Sequence, residues 1–200
     1  MTTAHSQKPL ALILGGGPRI GWSVATKLAA EGYKVALGSR NPDTSRCTEA
    51  DILPVSVNVS DTTSVTNAFS TVKTTLGRVP SVVVYNAAAL TFPADPSDPF
   101  ASISAEDMER DYRVSALGAY AALREALAGF KALVAEGDDQ PKVFIATGNV
   151  TPFMAVPMAL TLAAGKSALV QMLQVAVAAY GEKGFRCVER ESHWFCSAVC

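Results

Sequence analysis

Lys166 is the one charged residue between Val143 and Gly181. Its neighbours Leu162, Ala163, Leu169 and Val170 are apolar, and an ammonium in such surroundings needs a partner. It is either a lysine on the wet side of an amphipathic helix or a grip on a polar ligand. A second chemical group is the turn "LILGGGPRIG" at 12–21. A buried strand ends at Leu14, glycines turn the chain, and a helix begins near Ile20. Glycines let a backbone approach a pyrophosphate, and the N–H groups opening a helix favour an anion. A mere tight turn is the plainer alternative, but strand–turn–helix is the context a dinucleotide cradle requires. Third comes "LGSRNPD" at 37–43. Cofactors lacking a 2′-phosphate are usually held by an acidic residue at this distance. Here Ser39 and Arg40 stand instead, and an arginine pairs with phosphate. NADP(H) is therefore expected over NAD(H), against the alternative of a surface arginine.

Alternating strands and helices must position these groups, and the patterning supplies them. "LALILG", "YKVALGS", "ILPVSV", "SVVVYNA", "KVFIAT" and "FRCVE" read as strands. "IGWSVATKLAAEG" reads as a helix stopped at Gly32. The next helix spans "SDTTSVTNAFSTVKTTLG", with Ser60 as N-cap and Gly77 at its end. "TFPADPSDPF" is a proline-rich loop. After it, residues 104–137 form one long helix or two abutting ones, opened by a capping box of Ser104 and Asp107. "PMALTLAAGKSALVQMLQVAVAAYG" is the helix of Lys166. Repeated strand–helix units predict an α/β fold: a doubly wound, Rossmann-like parallel sheet with helices on both faces. Residues 1–8 are expected to be a flexible N-terminus, 9–189 a single domain, and 190–200 an atypical tail.

Composition narrows the partners. Hydrophobic residues make up 49% of the 200 and charged residues 18%, below the ~25% usual in globular domains. This suits strands buried on both faces. The net charge is -1 with no basic run, which argues against nucleic acid. Val143 to Gly165 is long enough to cross a membrane, but Gly148, Asn149, Thr151, Pro152 and Pro157 interrupt it, so no span is expected. Cys47, Cys187, Cys196 and Cys200 form no C-x-x-C pair; free thiols and no metal site are expected. His5 and His193 are read as solvated. The first ten residues contain no apolar signal core, and a cytoplasmic location is expected.

"GGGPRIG" resembles the T-G-x-x-x-G-I-G turn of the short-chain dehydrogenase/reductase family, with Gly15, Ile20 and Gly21 in place, Gly17 within the turn and Arg19 at the middle glycine. "VNVSD" resembles the segment that family sets beside the adenine, with Asn58 for its aspartate and Val59 following. "YNAA" resembles its N-N-A-G, with Asn86 and Ala87 matching. The resemblance covers about residues 8 to 188. The proline loop and "FIATGN" look most like divergent fungal members.

The resemblance implies a catalytic set of asparagine, serine, tyrosine and lysine. Lys166 matches the lysine, which in the family holds the nicotinamide ribose and lowers the tyrosine's pKa. Leu162 stands where the tyrosine belongs, Ser115 where the asparagine does, and Thr147, Gly148 or Asn149 in the serine region. Asn149 can donate a hydrogen bond to a substrate oxygen but not a proton. A positioned general acid contributes roughly 10²–10⁴-fold, or about 3–5 kcal/mol, and leucine supplies none of it. The site is thus expected to be degenerate.

The expectation is an NADP(H)-dependent reductase acting by non-standard chemistry on a C=O or C=N of a small apolar intermediate of specialised (secondary) metabolism. An inactive NADP(H)-binding sensor or scaffold, or a redox-neutral cyclase or isomerase, are the alternatives. The two long helices are expected to pair copies into a homodimer or homotetramer. No P-G follows "FRCVE", so the tail reads as a truncated or altered end, with the last strand or strands of the family's sheet missing.

Overall fold

Every residue of β1 (Leu10–Leu14) is buried, which requires cover on both faces of the sheet. The computed structural model describes residues 8–191 and supplies that cover. The sheet contains β1, β2 (Lys34–Ser39), β3 (Ile52–Ser56), β4 (Val82–Tyr85), β5 (Lys142–Gly148) and β6 (Phe185–Glu191). All pairings are parallel, in the order β3-β2-β1-β4-β5-β6. Side chains alternate along a strand. Leu10, Leu12 and Leu14 therefore join the core under α3 (Thr62–Leu76), α6 (Gly118–Ala135) and α7 (Leu160–Tyr180). Ala11 and Ile13 join the opposite core under α1 (Ile20–Ala30) and α2 (Thr44–Glu49). This is the expected doubly wound arrangement. The order reverses between β1 and β4, and such a switch point opens a crevice at the carboxyl ends of the strands.

Local chemistry sets the element ends, and here several expectations change. α3 is capped by Asp61, whose carboxylate accepts from Thr63 N at 2.9 Å, and not by Ser60. Ser60 instead donates to Asn58 Oδ1 at 2.8 Å. The six-residue α2 was not expected; Asp43 caps it by accepting from Arg46 N at 3.0 Å. The short α4 (Pro99–Ser102) begins at the end of the proline-rich loop. The long helical stretch is α5 (Ala105–Tyr112), a π-helical turn (Arg113–Leu117) and α6 in succession. Ser104 opens it as expected, accepting from Asp107 N at 3.0 Å. Pro54 lies in β3, an edge strand, where a missing donor is tolerated.

The helix over Pro157–Lys183 is by length and composition apolar enough to cross a membrane. In the fold α7 covers the sheet, burying Leu169, Leu173 and Ala176 in the core. Phe185 of β6 meets the edge of the Phe130 ring, with centroids 5.6 Å apart. β6 continues to Glu191, so the strand enters the stretch read as tail. The described residues carry six strands; 1–7 and 192–200, with His5, His193, Cys196 and Cys200, lie outside them. Cys47 and Cys187 are buried free thiols.

Candidate functional site

The crevice begins at the glycine turn. Gly15 adopts φ +102°, a left-handed conformation that only glycine holds without strain. A Cβ there would also lie 2.5 Å from Ala87 N. Gly15 and Gly16 both donate their N–H to Gly38 O, at 2.9 and 2.8 Å. Asn86 Nδ2 donates to Gly15 O at 2.9 Å, tying the turn to the end of β4. A Cβ on Gly21 would collide with Gly15 O, so helix and turn pack backbone to backbone. Gly17 differs: it is exposed and faces open space. Arg19 and Ile20 are exposed beside it. Arg19, the N-cap of α1, makes no side-chain capping bond, so the first-turn N–H groups receive no side-chain acceptor from it.

At the end of β2 a cleft of about 170 Å³ is lined by Ser39, Asn41, Trp22 and Arg46 among others. The Arg46 guanidinium stacks 3.7 Å from the Trp22 ring centroid. Arg40 is exposed just past the strand and is not part of this lining. Arg46 and Trp22 were not singled out from sequence; the signal was Asp43, whose N-cap role starts α2 and puts Arg46 in its first turn. Asn58 follows β3, with its side-chain oxygen engaged by Ser60 N at 3.2 Å and the Ser60 hydroxyl. Val59 is half-buried next to it, against Gly118.

The other half gathers at the ends of β4 and β5. Lys166 is 3% exposed and donates from Nζ to Thr147 O. Burial pulls its pKa below the usual lysine value, and the Glu189 carboxylate partly opposes that shift. Leu162 lies one helical turn earlier, half-buried, on the same face of α7. Asn149 accepts at Oδ1 from Thr151 N at 3.1 Å and the Thr151 hydroxyl at 2.7 Å, leaving the amide Nδ2 as its donor. Ser115, in the π-helical turn, is 0% exposed and accepts from Ala89 N at 3.2 Å. A Cβ on Gly165 would collide with Ser115, so α7 touches the π-helical turn one residue before Lys166.

Tyr85, at the end of β4, is wholly buried and donates to Val114 O at 2.5 Å; burial pushes its pKa well above the ordinary phenol value. Among the described residues no cluster of His, Cys, Asp or Glu suits a metal ion.

Residues 18–188 match the sequence family described as Enoyl-(Acyl carrier protein) reductase. A short chain dehydrogenase/reductase of Cryptosporiopsis sp. is 39% identical over 189 residues, covering 89% of this chain and 74% of that protein. An uncharacterized oxidoreductase of Caenorhabditis elegans is 33% identical over 87 residues, covering 40% of this chain and 28% of that protein. Among solved structures, an NADH-dependent reductase of alginate metabolism superposes with TM-score 0.80 at 18% identity, covering 93% of this chain and 77% of that one. A 3-ketoacyl-(acyl-carrier-protein) reductase from Brucella melitensis, complexed with NADH, gives TM-score 0.78 at 21% identity, covering 92% and 75%. The chain belongs to the short-chain dehydrogenase/reductase family.

Proposed function

We propose that the protein is a nicotinamide-dinucleotide-dependent reductase, with NADP(H) preferred, acting on a C=O or C=N of a small apolar substrate without the family's tyrosine. The residues fit a dinucleotide. Gly17 leaves open space in front of a helix start that has no side-chain cap, and backbone N–H groups there suit a pyrophosphate. Arg40 at the end of β2, with Arg46 on the cleft wall, offers two guanidinium groups to a 2′-phosphate. The buried Lys166 ammonium supplies donors for ribose hydroxyls at the carboxyl ends of β4 and β5. When bound, the dinucleotide supplies a hydride.

The pairing of Lys166 with Leu162 carries the proposal. The lysine keeps the cofactor role while the leucine removes the proton donor. Asn149 can still hold a substrate oxygen through Nδ2, as an oxyanion-type contact. A carbon–nitrogen cation needs no such donor, since it already carries the charge that a proton would supply, and it suits this site better than a ketone. The segments after β4 and β5 expose Phe92, Phe153, Met154 and Met158, an apolar rim for an apolar substrate. Leu117 and Tyr120 of the π-helical turn and α6, and Val175 of α7, are also exposed, and they are the surface proposed for pairing copies.

The test is titration with NADPH and NADH by fluorescence, then oxidation of the bound dinucleotide with matched ketones and cyclic iminium ions. Turnover of the iminium and not of the ketone supports the proposal. Binding without turnover of either moves the protein to a sensor or scaffold, which Leu162 also favours. Product without cofactor consumption marks a redox-neutral isomerase. Absence of dinucleotide binding overturns the reading altogether.

A further inference from the structure

The chain leaving β4 crosses the crevice wall without a strand partner, and its N–H groups need acceptors. Two hydroxyls provide them. Ala89 N donates to Ser115 Oγ at 3.2 Å, and Thr91 N donates to Thr161 Oγ1 at 3.1 Å. Both hydroxyl residues are 0% exposed. The donors are alternate residues, so one edge of the segment rests on the π-helical turn and on the first turn of α7 together.

The Thr161 hydroxyl is itself oriented. It donates to Asp111 Oδ2 at 2.8 Å, which aims its lone pairs at Thr91 N. Asp111 is 3% exposed, and its other oxygen lies 3.5 Å from Arg110 Nε. Arg110 also donates to Thr91 Oγ1 at 2.6 Å. A buried carboxylate, fifty residues from Thr161 in sequence, thus fixes one residue of the segment from two sides.

We propose that Thr161 and Asp111 are positioning residues which, with Ser115, splint residues 89–91 so that the wall of the nicotinamide end is preset before the dinucleotide arrives. The proposal rests on the dinucleotide reading above. None of the three needs to touch the cofactor. Their effect falls on the half of the site next to Lys166 and leaves the phosphate cradle alone, because the cradle is held by Gly38 and Asn86.

The test compares two ligands: the reduced dinucleotide that the parent binds, and its fragment without nicotinamide, ADP-ribose or the 2′-phosphate of ADP-ribose. Thr161→Val is expected to weaken the dinucleotide roughly tenfold, the effect of one lost hydrogen bond, with the fragment within about twofold. Thr161→Ser restores binding, and Asp111→Asn shows the same split as Thr161→Val. In the unliganded protein, amide exchange at Thr91 accelerates in Thr161→Val while β1 and β4 stay protected. Equal losses for both ligands, a Ser variant as weak as Val, or unchanged exchange at Thr91 would each overturn the proposal. Should Thr161→Val not fold, the Ser and Asn variants carry the same comparison. A parent that binds neither ligand defeats the dinucleotide reading and the positioning role, while the exchange measurement still decides separately whether the splint exists.

Discussion

The two halves of the crevice are built by different means. In the glycine turn between β1 and α1 the working groups are backbone: N–H donors, a φ of +102° at Gly15, and a helix start free of a side-chain cap. Around β4, β5 and α7 they are side chains. Leucine at position 162 sits in an unbroken α7, and serine at 115 forms a buried hydrogen bond of its own. A binding half made of backbone geometry resists change, because altering it strains the fold. A reacting half made of side-chain types can lose its chemistry while every element stays in place.

Four results sharpen or break this contrast. The largest effect is expected from Leu162→Tyr. If the reacting half lacks only its phenol, ketone reduction in steady-state assays rises about a hundredfold or more, with dinucleotide affinity unchanged and no gain in Leu162→Phe. A Tyr variant as slow as the parent would mean that the reacting half has lost more than one group.

Next come two glycines of the same turn. Gly15→Ala meets both a left-handed φ and Ala87 N, and is expected to destabilise by about 3 kcal/mol in urea unfolding. Gly17→Ala enters open space and changes stability by less than about 0.5 kcal/mol, yet it weakens dinucleotide binding by occupying the anion's place. Equal stability for both variants would break the backbone half of the contrast.

Lys166→Met is expected to lower dinucleotide affinity about tenfold without lowering the melting temperature. The sign follows from its pKa, which burial depresses in the folded state. Between that lowered value and the ordinary ~10.4, the unfolded chain holds more protons, so stability rises with pH across this window. Removing the amine flattens that rise, as denaturation at a series of pH values would show. A lower melting temperature would give Lys166 a structural role instead.

The smallest effect is at Arg40. Arg40→Ala is expected to weaken NADPH about fivefold more than NADH, with Arg46→Ala adding a further few-fold loss. Equal losses for both cofactors would remove the 2′-phosphate assignment.

Local signals explain what the sequence made legible. The unbroken apolar run of β1 and the glycines closing α1 and α3 are properties of neighbouring residues, so the alternation of strands and helices and the cradle follow from them. α2 escaped notice because six residues carry too little periodicity, although Asp43 marked its start. Ser60 and Asp61 are both good caps one residue apart, and only the hydrogen bond to Thr63 N separates them. The π-helical turn leaves no mark in the pattern, since one extra residue per turn resembles ordinary helical drift. Asp111 and Thr161 meet across fifty residues of chain; read alone, each is an unremarkable polar residue. Leu162 drew notice only through the family resemblance, because a leucine in a helix has no chemistry to announce.

Pro54 has a consequence for behaviour in solution. A parallel sheet whose outer strand offers a full row of donors can recruit a strand from another chain. β3 is an outer strand of the described sheet, and Pro54 in its middle has no N–H to offer. That edge is a poor template for strand addition, so a growing aggregate would be stopped there. In a concentrated or partly unfolded sample, the β3 edge is therefore protected against joining a neighbouring chain.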